Sequence, residues 1–86
     1  MNKQDKLHFS KVSELGCMIC GSPAEIHHVG TYMGGGRDNK KVIPLCPIHH
    51  RNGGYGVAIH AGKKEFERLY GSEQDMLDET LMRLET

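Results

Sequence analysis

Two donor pairs, Cys17-x-x-Cys20 and Cys46-x-x-His49, constrain this chain more than any other feature. Each pair puts two metal-binding side chains on one tight turn. Two such turns brought face to face supply three thiolates and one imidazole, a set suited to a tetrahedral structural zinc. Any fold must therefore fasten the stretch after residue 17 to the stretch after residue 46. Such a fastening is needed. The chain has 86 residues, 37% of them hydrophobic, and no Trp. A core that small is marginal alone, and domains of this size often recruit a metal or disulfides. The 3 cysteines cannot all pair with one another. No signal peptide and no long apolar run is present, and Met1 to Lys11 is too polar for a targeting segment. The expected setting is a reducing cytoplasm, away from membranes, with the thiols on zinc. A redox role for Cys17-x-x-Cys20 is set aside, because no βαβ pattern surrounds it and a second ligand pair exists.

The formal net charge is 0, which on its face argues against a nucleic-acid partner. Its distribution argues otherwise. Met1 to Lys64 carries 9 basic and 4 acidic residues, and Glu65 to Thr86 carries 2 basic and 7 acidic. The part holding the metal donors is basic and can attract phosphate, while the acidic tail reads as a solvated helix.

In chain order, the pattern predicts one α+β domain spanning residues 1–86. Lys3 to Leu15 reads as a helix with Leu7, Val12 and Leu15 near one face and Gly16 as its stop. His8 on this helix reads as a surface or partly packed residue. Cys17 to Gly21 is a zinc knuckle. Ala24 to Val29 reads as a strand, with Ile26 and His28 on one side and His27 and Val29 on the other. Gly30 to Asn39 is a glycine-rich loop that lacks the layout of a nucleotide-binding loop. It serves either as a plain hairpin connection or, with Arg37, Lys40 and Lys41 near its end, as a track for a phosphate backbone. Lys41 to Leu45 is a second short strand with Pro44 at its edge or end. Pro47 then suits the first turn of a helix carrying His49 and His50. Lys63 to Tyr70 reads as a helix closed by Gly71. Ser72 and Asp75 form a capping-box-like start to a last helix, whose stripe of Met76, Leu77, Leu81 and Leu84 reads as core or dimer contact.

Once zinc has taken His49, His27, His28, His50 and His60 are left. Any of them could be an ordinary exposed or packed histidine. Together they are suited to hold a second divalent ion with open positions, and a free imidazole beside it could deprotonate water near neutral pH. Such a combination suits phosphodiester hydrolysis.

A strand ending in His27-His28, a loop, a second strand and Pro44-Leu45-Cys46-x-x-His49-His50 resemble the HNH (ββα-metal) nucleases, and Cys17-x-x-Cys20 resembles the zinc-bearing members. The continuation His60-Ala-Gly-x-x-x-Phe66-Glu67-x-x-Tyr70-Gly71-Ser72-x-Gln74 is similar to phage recombination-enhancement (Ref-type) nucleases. The resemblance implies a ββα core over about residues 17–62, flanked by a helix over about 3–15 and helices over about 63–85. It implies a metal-dependent DNA endonuclease of phage or prophage type. By resemblance, His27, His50 and His60 hold the catalytic divalent ion (Mg, Mn, Ni or Zn), His28 is the general base and Asn39 is the candidate for the residue that orients it. Arg37, Lys40, Lys41 and Arg51 are candidates for DNA contact. Ref-type resemblance further implies a RecA-type filament as partner. Two other readings stand beside this one. One is a non-catalytic zinc-ribbon module that binds nucleic acid or protein and needs only the first four ligands. The other distributes all the histidines over several structural zincs, which the glycine-rich surroundings suit less well than an open site.

Overall fold

The computed structural model describes residues 2–30 and 39–85. It is a small α+β structure: helix α1 (Lys3–Glu14), strand β1 (Glu25–His28), strand β2 (Val42–Leu45), a wide helical turn (Ile48–Asn52), a 3-10 turn (Ile59–Ala61), helix α2 (Lys63–Tyr70) and helix α3 (Glu73–Glu85).

Helix α1 begins where Asn2 Oδ1 accepts the Asp5 N–H at 2.8 Å, relieving one of the unpaired amides of a helix start. Its inner face runs through the half-buried Asp5, His8 and Phe9 to the fully buried Val12. Leu7, expected on that face, is 57% exposed. Leu7 and Val12 are five positions apart, which sets them about 140° apart around the helix. Polar residues hold the inner position instead. The helix stops before Gly16, whose φ is +82°. A Cβ at Gly16 would stand 2.8 Å from the Gly21 carbonyl oxygen, so the knuckle closes back onto the helix end only because the side chain is missing. Gly16→Ala should therefore cost roughly 1–2 kcal/mol in backbone conformation alone, with the overlap adding to it. The expected reading is a lower thermal midpoint and weaker zinc retention against a chelator.

Strands β1 and β2 pair antiparallel, with His27 opposite Ile43 and His28 opposite Val42. Every residue of β2 is buried, because α1 and α3 both pack on it. Pro44 gives no N–H, but its carbonyl accepts from Met18 N at 3.0 Å, which ties the knuckle to the hairpin. Ile43, Leu45, Phe66, Met76 and Leu77 share a core cluster with Cys17 and Cys46, so the metal donors belong to the hydrophobic core.

After Cys46 the chain makes one wide turn in place of the short helix expected to carry His49 and His50. Gly53 N–H donates to Ile48 O at 2.9 Å, five residues back. A Cβ on Gly53 would lie 2.5 Å from that same oxygen, so the turn depends on this glycine. Helix α2 has the expected limits. Helix α3 opens with Ser72 Oγ accepting the Asp75 N–H at 3.1 Å. Its buried line is Glu73, Met76, Leu77 and Thr80. Leu81, expected in the stripe, is 40% exposed, and Thr80 takes the inner place by donating its hydroxyl to Met76 O at 2.8 Å.

Candidate functional site

The two donor pairs meet. Cys17, Cys20, Cys46 and His49 offer donor atoms that all lie within 4.8 Å of one another. Cys20 Sγ is 3.6 Å from Cys46 Sγ, and His49 Nδ1 is 3.2 Å from Cys46 Sγ and 3.7 Å from Cys17 Sγ. A tetrahedral ion with bonds near 2.3 Å to sulfur and 2.1 Å to nitrogen requires separations of about 3.8 and 3.5 Å, so this cluster could bind zinc. The Ile19 N–H reaches Cys17 Sγ at 3.4 Å, as a knuckle amide does toward a thiolate. Hydrogen bonds from the Ser22 side chain and backbone bring the Cys20 thiol down to about 6. Burial pushes the Cys46 thiol up.

On the other side of the wide turn a second set gathers. His27, His50 and His60 each present a ring nitrogen within 4.8 Å of the others. His50 Nε2 and His60 Nε2 are 2.9 Å apart, near the roughly 3 Å between ligands at right angles on an ion with bonds of about 2.1 Å and shorter than the roughly 3.4 Å of a tetrahedral pair. His27 is buried at the end of β1, His50 is half-buried and His60 is exposed. Burial pushes both His50 and His60 below the ordinary histidine value, which favours the neutral ring that offers a lone pair. His49 and His50 follow each other on the turn and part company, one to each cluster.

Carboxylates stand behind two of these histidines, and neither was singled out in the sequence. Glu25 Oε1 lies 2.8 Å from His50 Nδ1, and both Glu25 oxygens take the Arg51 guanidinium at 2.8 and 3.0 Å. Hydrogen bonds from Arg51, then His50, hold the Glu25 carboxyl at about 2. Glu73, buried at the first position of α3, places Oε2 2.5 Å from His27 Nε2, and its Oε1 receives Lys63 Nζ at 2.9 Å. Burial alone would raise the Glu73 carboxyl, but the hydrogen bonds from His27 and Lys63 outweigh it and hold the group low. A signal existed for Glu25, two residues before His27 and hence on its side of the strand. Glu73 is 46 residues from its partner and carried no such mark.

His28 stands outside both ligand sets. Its Nε2 is 3.0 Å from Asn39 Oδ1, and Asn39 Nδ2 donates to Asp5 Oδ2 at 3.1 Å. The Phe9 ring meets the His28 ring edge to face at 5.7 Å. His27, His28, His60, Gly62, Lys63 and Glu73 all line one cleft of about 380 Å³. Among the basic residues proposed for DNA, Lys40 and Lys41 are exposed. Lys41 borders an adjoining hollow with Lys63 and Gln74. Arg51 is drawn to Glu25, and Arg37 lies outside the described residues.

Residues 3–85 match the family described as recombination enhancement, RecA-dependent nuclease. The chain belongs to this family of RecA-dependent nucleases. No match was found among curated proteins. A RecA-dependent nuclease acts on DNA, and RecA takes part in that action, so the family supplies both substrate class and partner. Among the described residues, no helix is long and apolar enough to cross a membrane.

Proposed function

We propose that this RecA-dependent nuclease is a metal-dependent endonuclease of the HNH type, hydrolysing DNA phosphodiesters in the cleft between β1, the 3-10 turn and α3. The observation that carries the reading is the division of labour among the histidines. Three gather their ring nitrogens within 4.8 Å, and a fourth, His28, borders the same cleft without joining them.

In this reading Cys17, Cys20, Cys46 and His49 hold a zinc that fixes the scaffold. His27, His50 and His60 hold a divalent cation, which when bound would stabilise negative charge developing on the phosphate and on the leaving oxygen. His28 takes the proton from the attacking water, and its ring is kept in place by Asn39 and Phe9. Glu25 and Glu73 fix the rings of His50 and His27, as carboxylates behind ligating histidines do. Lys40 and Lys41 draw the phosphate backbone toward the cleft. A purely structural zinc module has no use for a second histidine set, and that set is what favours the nuclease reading over it.

The test is cleavage of DNA carrying a RecA filament, with the zinc-loaded protein and Mg, Mn, Ni or Zn added in turn. Cleavage that requires one of these ions and fails with His50→Ala supports the reading. Cleavage indifferent to added ion and to that substitution contradicts it.

A further inference from the structure

The N-terminal helix reaches the proposed base through a chain of hydrogen bonds. From Asp5 the path runs through Asn39 to His28, with separations of 3.1 and 3.0 Å. Three segments far apart in sequence meet there. Asp5 itself is seated by the Asn2 cap on its amide, and Phe9, one turn further along α1, packs edge-on against the same histidine. Asp5 and Phe9 take the inner place that Leu7 was expected to hold.

Resting on the proposed role of His28, we infer that Asp5 is a positioning residue of the nuclease site, acting through Asn39 to select the tautomer of His28. A carboxylate offers only acceptors, so it must face the NH2 end of the Asn39 amide. The amide oxygen is thereby turned toward His28. An oxygen there requires a proton on His28 Nε2, which leaves the lone pair on Nδ1. Without Asp5 the amide is free to turn over and present its NH2 group, and the opposite tautomer, with its lone pair on Nε2 committed to Asn39, becomes equally acceptable. Asp5 thus settles, through two hydrogen bonds and the amide between them, which nitrogen can accept a proton. Helix α1 then does more than brace the knuckle: it is part of the catalytic apparatus.

Two substitutions separate this role from helix stability. Asp5→Ala removes the acceptor that faces the Asn39 amide, whereas Asp5→Glu keeps a carboxylate, which can only accept. Long-range proton–nitrogen correlation spectra of the zinc-loaded protein should show His28 protonated at Nε2 in the wild type and in Asp5→Glu, and a mixture of tautomers in Asp5→Ala. On DNA with a RecA filament, Asp5→Ala should lower kcat roughly 10-fold with KM unchanged, Asp5→Glu should restore most of it, and Asp5→Ala should add nothing in an Asn39→Ala background. An unchanged tautomer in Asp5→Ala, or losses from Asp5→Ala and Asn39→Ala that multiply, would overturn the inference. The spectra read the tautomer whether or not the protein cleaves DNA, so failure of the nuclease reading and failure of the Asp5 assignment give different results.

Discussion

His28→Ala should reduce DNA cleavage by about 100- to 10,000-fold, the range over which a positioned proton acceptor contributes, while the protein keeps its fold and both metal sites. The prediction is sharp because His28 supplies no donor atom to either cluster. What the fold loses is an edge contact with Phe9 and one hydrogen-bond partner for Asn39. A hydrogen bond of that kind is worth about 1 kcal/mol, or roughly 4–8 °C of thermal midpoint in a domain of this size. Single-turnover cleavage, melting and zinc content measured on one preparation check all three parts. A variant that cleaves normally would remove His28 from the reaction. A variant that has lost its zinc would show that the donors are divided differently.

Cys46→Ser should abolish the cooperative fold. Cys46 is 4% exposed and belongs both to the core cluster and to the first ligand set. The serine hydroxyl stays protonated at neutral pH and is no substitute for a thiolate. Structural zinc in small domains contributes about 10–16 kcal/mol at neutral pH, comparable to or larger than the whole stability of a typical domain at about 5–15 kcal/mol. Losing one of the four ligands therefore removes a large share of what holds α1, the hairpin and the wide turn together. The same outcome is expected on stripping the wild type with a strong chelator. Circular dichroism and amide spectra check it. A folded, cooperatively melting Cys46→Ser protein would mean that the core suffices alone.

Much of this arrangement could be read from the residues because it depends on local spacing. The pairs Cys17/Cys20 and Cys46/His49 announce a tetrahedral set, and the alternation along β1 sends His27 and His28 to different duties. The limits of α2 follow from the glycines at its two ends. The carboxylates were hidden for the opposite reason. Asp5 and Asn39 are 34 residues apart, and Glu73 and His27 are 46 apart, so no periodicity links them. The same contacts explain the two misplaced leucines. An apolar stripe was expected to mark the inner faces of α1 and α3. Asp5 and Glu73 instead occupy inner positions, one to reach Asn39 and the other His27, while Leu7 and Leu81 are turned outward. The wide form of the short helical turn after Cys46 has a local cause in the close approach of Gly53 to Ile48 O.

The account stands on two cations with different donors, and anomalous diffraction reads this directly. Crystals grown with zinc and then equilibrated with manganese should give a zinc peak among Cys17, Cys20, Cys46 and His49 and a separate manganese peak among His27, His50 and His60. A single peak at the cysteines, with the three histidines bare in a protein that still cleaves DNA, would contradict it.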